Sequence, residues 1–281
     1  MSAAVDVVGE LAALRARIDG WKREGLRVGF VPTMGNLHAG HYSLVRLARA
    51  NADRVVASIF VNPTQFAPAE DLDRYPRDEA GDLAKLARLG AHLVWMPEVS
   101  TMYPPGDQTW VTVEELTRDL ESATRPHFFR GVATVVTKLL NQVQADIAVF
   151  GEKDYQQLLV VRRMVHDLAI PTLIESRPTV REPDGLAMSS RNAYLTAEER
   201  RTAAALHRVL QDTAAALADG QPAEARLEAA RHRLLVEGFA RVDYLELRDA
   251  LLGSTIELFV ADIRELHGNA QLHIEPLRVH Q

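Results

Sequence analysis

Two histidines three residues apart, His38 and His41, stand where an apolar run gives way to an amphipathic one in Gly29-Phe-Val-Pro-Thr-Met-Gly-Asn-Leu-His-Ala-Gly-His41. Leu44, Val45, Leu47 and Ala48 follow at helical spacing, so both imidazoles fall on the first turn of a helix and point the same way. A helix start offers unpaired backbone N–H groups and roughly half a positive charge, which favours an anion by about 0.3–1 kcal/mol at an exposed end. The histidines add side-chain donors. Gly40 has no Cβ, so the backbone there can lie against a flat ring or a ribose. Together these features read as a site for a phosphate carried on a nucleoside. A zinc half-site is the first competing reading, but the chain has no cysteine, no His-Glu-x-x-His and no evident third ligand. Gly35-x-x-x-x-Gly40 begins like a P-loop, yet His41 and Tyr42 stand where Lys and Ser/Thr are required. On these residues alone, a pair of helix-start histidines without any ligand stays open.

Other polar loops have complementary chemistry. In Met188-Ser-Ser-Arg-Asn192, two hydroxyls and a guanidinium can hold the outer phosphates of a triphosphate; the plain alternative is a polar surface turn. Asp184-Gly185 before it reads as a turn, and Thr196 with Glu199 after it reads as a capping box. In Gly151-Glu152-Lys153-Asp154, Gly151 admits close backbone approach, Lys153 offers a compact charge and Asp154 can accept from ribose hydroxyls; Lys-Asp can equally be a capping pair. Gln157 adds an amide to that face. Asn62-Pro-Thr-Gln-Phe66 is an extended turn, because Pro63 keeps Asn62 out of helix geometry, and it can present Gln65 beside Phe60 and Phe66. Asp82, in an acidic helix start, is a candidate for holding Mg²⁺ near a triphosphate, although Mg²⁺ usually keeps several waters and leans on phosphate oxygens.

The elements that must position these loops alternate. Strands are expected at 26–32, 54–61, 92–96, 146–150 and from about 172, and helices at 40–51, 78–89 (closed by Gly90), 131–143 and 154–168, after an Ala/Leu helix within 1–25. Such alternation predicts an α/β chain with a doubly wound parallel sheet, in which ligands sit beyond the carboxyl ends of the strands. The histidine turn, the Asn62 turn and the Gly151 loop all follow strands, so they share that edge. After about Val180, helices at 196–218 and 222–237 and short strands near 242–247, 255–260 and 271–275 predict a second, smaller α+β domain. We expect the boundary between residues 178 and 179, with a hinge over Arg177 to Pro183.

At 281 residues, 47% apolar and 25% charged, the chain is that of a folded enzyme-sized protein. A formal charge of −6 gives no general attraction to polyanions, so no nucleic-acid partner is expected, whereas a small anion needs only a local patch. Zero cysteines exclude disulfides, thiolate catalysis and Cys-ligated metals, and fit a cytoplasmic protein. No 18-residue apolar run exists, and charges through the first 25 residues argue against a signal peptide or membrane anchor.

Taken together, Pro32-Thr-Met-Gly-Asn-Leu-His-x-Gly-His41, Ser58-Ile-Phe-Val-Asn-Pro-x-Gln-Phe66, Phe150-Gly-Glu-Lys-Asp154 and Asp184-Gly-Leu-Ala-Met-Ser-Ser-Arg-Asn192 strongly resemble the pantothenate synthetase (pantoate–β-alanine ligase) family of the HxGH nucleotidylyl-transferase-like group. The likeness runs in register from about Leu26 to Leu195. It implies a Rossmann-like fold, a homodimer, Mg²⁺ and ATP-dependent joining of pantoate to β-alanine through a pantoyl-adenylate. It implies that Met34, Gly35, His38, Gly40, His41, Gly151, Glu152, Lys153, Asp154, Val180, Met188, Ser189, Ser190 and Arg191 surround ATP, with His38, His41, Lys153 and Arg191 acting in catalysis. Gln65 and Gln157 would hold pantoate, and the smaller domain would act as a lid. The runner-up is a nucleotidylyltransferase acting on a phosphorylated small molecule, and a third reading is a nucleotide-binding protein without turnover. The chain departs from the family pattern at Arg125-Pro-His-Phe-Phe-Arg-Gly131, which has Phe128 where a histidine belongs and His127 one position early. It departs again at Gly268-Asn-Ala-Gln-Leu-His-Ile-Glu275.

Overall fold

The structure is a computed structural model that describes residues 4–67, 70, 72–249, 256–261 and 277–279. Two compact units divide it: Met1–Gly151 with Gln156–Arg177, and Glu152–Tyr155 with Pro178–Gln281. In the first unit the chain forms β1 (Asp6–Val8), α1 (Leu11–Arg23), β2 (Val28–Thr33), α2 (Ala39–Asn51), β3 (Arg54–Ile59), α3 (Glu79–Leu89) and β4 (Leu93–Trp95). The short α4 (Val99–Met102) and α5 (Glu121–Thr124) follow, then α6 (Phe128–Val143), β5 (Ile147–Gly151), α7 (Tyr155–Asp167) and β6 (Leu173–Arg177).

All six strands pair in parallel in the order β1-β4-β3-β2-β5-β6. From β2 the chain proceeds outward through β3 to β4, then crosses back to lay β5 and β6 on the other side. The switch point therefore lies between the carboxyl ends of β2 and β5, the position where open α/β sheets bind ligands. Helices cover both faces, which is why the strands read as nearly continuous apolar runs. Val31, Val55, Ala57, Val94 and Val149 form one core cluster with Leu44, Val45 and Ala48 of α2 and Leu86 of α3. Side chains of the opposite parity face α6, where the Trp95 indole N–H donates to Gln142 Oε1 at 3.1 Å.

Most expected elements are present within a residue or two, including the left-handed Gly90 that closes α3. Three differences bear on function. β1 lies ahead of α1, in a stretch where the sequence suggested only a helix; three residues are too few for a period of two to show. α6 begins at Phe128, not at 131, so the Phe-Phe-Arg-Gly segment forms its first turn. Glu152–Asp154 form a 3₁₀ turn ahead of α7, so Asp154 lies outside the α-helix that carries Gln157.

The second unit contains α8 (Ala197–Ala218), α9 (Ala223–Val236) and an antiparallel sheet ordered β7 (Tyr244–Asp249), β8 (Ile256–Ala261) and β9 (Leu277–Val279). Leu206, Val209 and Leu210 of α8 pack with Ala230 and Leu234 of α9, Phe239 and Leu245. The strand expected at 271–275 and the divergent segment 268–275 lie outside the described residues. No helix among the described residues is long and apolar enough to cross a membrane.

The expected capping box is formed at α8: Glu199 N–H donates to Thr196 Oγ1 at 3.2 Å, and Thr196 N–H donates to Glu199 Oε2 at 2.7 Å. Thr196→Ala removes one half of it and is expected to destabilise the start of α8 by about 1 kcal/mol, read as faster amide exchange in its first turn. Unchanged exchange there would show that the box does not hold the helix end.

Candidate active site

The histidine turn begins where β2 ends. Thr33 Oγ1 donates to Ser58 O at 2.7 Å and accepts from Gly35 N–H at 3.2 Å, which ties the start of the turn to β3. Gly35 and Asn36 then both take left-handed backbone, with φ of 86° and 50°. The turn they make presents the successive N–H groups of Asn36 and Leu37 to one anion. The anion is Asp82 of α3, only 1% exposed, whose Oδ2 accepts from Asn36 N–H at 2.6 Å and whose Oδ1 accepts from Leu37 N–H at 2.8 Å. Lys85 Nζ lies 3.0 Å from Oδ1. Burial pulls the Lys85 ammonium down, but its hydrogen bond to Asp82 and the field of Asp82, Tyr42 and Asp78 outweigh it, so its pKa is raised. Asp82 was expected as a candidate Mg²⁺ ligand; in the structure its oxygens hold the turn.

His38 is the N-cap of α2, and the cap is made by imidazoles. His38 Nδ1 accepts from Gly40 N–H at 3.2 Å, and His41 Nδ1 accepts from His38 N–H at 3.3 Å. This is a capping box with histidines in place of Ser/Thr and Glu. An accepting Nδ1 places the ring proton on Nε2, so each ring is a neutral Nε2–H donor. The ring centroids are 4.1 Å apart, so the two donors form a pair. A doubly protonated ring has no lone pair at Nδ1 and would break the cap. The sequence alone offered side-chain donors at the helix start; the cap fixes the direction of both rings through Nδ1.

The Asn62 turn lies beside them. Asn62, 1% exposed, is its hub: Oδ1 accepts from Tyr103 OH at 2.8 Å and Thr64 Oγ1 at 3.0 Å, and Nδ2 donates to Gln65 Oε1 at 3.1 Å and Gly131 O at 3.3 Å. Gln65 Nε2 meets Met34 Sδ at 3.2 Å. A thioether is a weak acceptor, so that N–H can readily exchange sulfur for a better oxygen. At Gly131, in the first turn of α6, a Cβ would come within 2.5 Å of Thr64 O, so only glycine lets the helix backbone rest on this turn. Phe128 lies beneath the Arg125 guanidinium, 4.0 Å from its ring centroid, and serves packing. His127 Nε2 is 4.0 Å from Glu70 Oε1, beyond hydrogen-bond length.

In the second unit, Lys153 Nζ lies 3.1 Å from Asp154 Oδ1. Residues 180–188 fold back on themselves: Met188 N–H donates to Val180 O at 2.9 Å, Arg181 bridges to Ala187, and Gly185 turns the hairpin at φ 93°. Arg200 holds Asp184 with both guanidinium nitrogens, at 2.6 and 3.0 Å. Burial pushes the Arg181 guanidinium down to about 10. Ser189 Oγ accepts from Arg191 N–H at 3.3 Å and starts a 3₁₀ turn in which Ser190 and Arg191 are buried.

Within the first unit, then, Met34, Gly35, His38, Gly40, His41 and Gln65 are brought to one strand-end region; within the second, Val180 and Met188 are adjacent. Sequence reading missed Asn62, Tyr103, Arg125 and Gln156 as organisers. Asn-Pro-Thr was a usable signal for the first, because an Asn side chain ahead of a turn commonly accepts from it. The others are paired with residues far along the chain, and no local pattern marks them.

A family model described as Pantoate-beta-alanine ligase matches residues 6–266. Pantothenate synthetase of Rhodospirillum rubrum is 55% identical over 254 residues, covering 90% of this chain and 89% of that protein. The enzyme of the same name from Acidiphilium cryptum is 58% identical over 243 residues, covering 86% of each. Among solved structures, pantothenate synthetase from Thermus thermophilus superposes with a TM-score of 0.88 at 45% identity, over 99% of this chain and 100% of that one. Pantoate-beta-alanine ligase from Francisella tularensis, complexed with beta-gamma ATP and beta-alanine, gives 0.83 at 32% identity over 99% of each. With its histidine turn and Gln65 loop set at the switch point of this sheet, the chain belongs to the pantoate–β-alanine ligase family.

Proposed function

We propose that this protein is an ATP-dependent ligase that condenses pantoate with β-alanine to pantothenate through a pantoyl-adenylate, releasing AMP and pyrophosphate. The observation that carries the reading is the pair of Nε2–H donors fixed at the start of α2, beside the Gln65 amide at the carboxyl edge of the sheet. A carboxylate is a poor acylating agent, so the enzyme first makes it a mixed anhydride. A pantoate carboxylate oxygen attacks the α-phosphorus of ATP, and the bond to the pyrophosphate oxygen breaks. Two unit charges about 4 Å apart repel by roughly 4 kcal/mol in surface-like surroundings, so donors and cations on the phosphates must offset that term. His38 and His41 donate from Nε2 to phosphate oxygens, without moving a proton; Lys153 and Arg191 supply the positive charge. In the second half, the free amine of β-alanine attacks the pantoyl carbonyl, AMP leaves and the amine loses its proton. No covalent enzyme intermediate is needed.

For ATP we assign Met34, Gly35, His38, Gly40, His41 and Gly151 of the first unit and Glu152, Lys153, Asp154, Val180, Met188, Ser189, Ser190 and Arg191 of the second. For pantoate we assign Gln65 and Gln157. Among the described residues no three His, Cys, Asp or Glu gather to cage a metal ion, and Asp82 is engaged by amides and Lys85. Mg²⁺ in this proposal comes with ATP, on phosphate oxygens and water, and no step runs through a protein-held metal. We further propose a homodimer working in the cytoplasm on small molecules alone.

With ¹⁸O in the pantoate carboxyl group, one label should appear in AMP when all three substrates are present. Pantothenate formed beside unlabelled AMP would rule out the adenylate. His41→Ala should slow pantoate-dependent pyrophosphate release by about 10²–10³-fold, with ATP affinity changed far less. A variant as fast as the wild type would take His41 out of the mechanism.

A further inference from the structure

The strongest feature that the mechanism leaves unused is a buried ionic strap in the first unit. Arg125 is 1% exposed and every guanidinium nitrogen is engaged. Nε and NH2 form a fork on Glu70 at 2.9 and 2.5 Å, NH1 donates to Glu121 Oε1 at 2.9 Å, and NH2 also donates to Gln65 O at 3.2 Å. The Phe128 ring closes the remaining face. One end of the strap thus grips the backbone of the residue assigned to pantoate.

Its other end grips the helix that carries the second such residue. Glu121, at the start of α5, donates its N–H to Gln156 Oε1 at 3.2 Å. Gln156 Nε2 donates to Leu116 O at 2.8 Å and Asp119 O at 3.1 Å, so its amide oxygen and both its amide hydrogens are used. These bonds hold Leu120 at φ 60° and ψ −123°, a conformation that a non-glycine residue keeps only when its surroundings impose it. Gln157 is the next residue along α7, and among the described residues its amide makes no hydrogen bond.

A buried ion network of this kind gives no more stability than an apolar cluster of the same volume would, but it sets a geometry that an apolar cluster would leave loose. We infer that Arg125 and Gln156 are positioning residues for pantoate: through Glu70, Glu121 and the short helix α5 they tie the Gln65 turn to the Gln157 helix, so that two amides meet one small dihydroxy acid at a fixed separation. The inference rests on the assignment of Gln65 and Gln157 to pantoate. Among the described residues the strap's own bonds end at the Gln65 backbone and at α7, and its effect is therefore expected on pantoate more than on ATP.

Gln156→Met keeps the length and volume of the side chain and removes all three hydrogen bonds. Steady-state AMP release would be measured for wild type and variant with pantoate and with 2-hydroxy-3,3-dimethylbutanoate, which is pantoate without its terminal hydroxyl. KM for pantoate should rise by about tenfold, with KM for ATP within about twofold, and the preference for pantoate over its analogue should fall by about tenfold. A general loss of folded protein would lower kcat equally for both acids and leave that preference intact. Arg125→Lys, which keeps the charge and loses the fork, provides the same readout where the methionine variant does not fold. A folded variant with wild-type KM for pantoate and wild-type preference overturns the inference and leaves the ligase reading standing. A wild type that releases no AMP in response to pantoate brings down the ligase reading, and this inference with it.

Discussion

The carboxylate of Asp82, seated in the amides of Asn36 and Leu37, is the interaction on which the rest of the site depends. Gly35 and Asn36 are both left-handed, and the asparagine has a steric cost that a glycine would not. A buried anion accepting two charge-assisted hydrogen bonds offsets that cost, at about 1.5–3 kcal/mol for each such bond. The turn it stabilises brings His38 to the N-cap of α2, and the cap takes up Nδ1 of both histidines. With Nδ1 accepting in each ring, Nε2 is the nitrogen that carries the proton, and the proposed reaction uses it toward phosphate oxygens. A helix start would attract phosphate without these Nε2–H groups, but only as a diffuse field; with them it offers donors whose direction is set before any ligand arrives.

The same economy explains where positive charge is wanted. Neutral imidazoles stabilise developing charge through donation and leave the proton count unchanged, so cationic help has to come from elsewhere. In the proposed reaction that charge is assigned to Lys153 and Arg191, one a compact point charge and the other a planar fork. Gln65, held at one side by an amide and at the other only by a thioether, can reorganise at small cost when a hydroxyl or carboxylate presents itself. Phe128 fits this division of labour, because its ring shields the Arg125 guanidinium that holds the Gln65 turn.

Much of the fold was legible in the sequence. A sheet buried on both faces writes itself as apolar runs, and β2, β3, β4, β5 and β6 all fell close to the stretches that composition marks. Helix ends written in local chemistry were also readable, as with Thr196 and Glu199 or Gly90. The histidine pair at a helix start was visible for the same reason, since both residues and the helix they open lie within one stretch of chain. What could not be read is contact between distant residues. Asp82 clamps amides 45 and 46 positions away, and Arg125 reaches Gln65 across 60. An acidic residue in a helix's first turn looks alike from the sequence whether it faces water, Mg²⁺ or a buried turn. Nor does a histidine's sequence position reveal which ring nitrogen is occupied, and here that nitrogen decides whether the ring is a cation or an oriented donor.

Nitrogen-15 NMR of the imidazole rings in the intact wild-type protein near neutral pH tests this account most directly. His38 and His41 should each show an unprotonated Nδ1 and a protonated Nε2, the pattern demanded by a cap that accepts at Nδ1. A proton on Nδ1 of either ring would contradict it, because the cap would then be broken and the donors would face the wrong way.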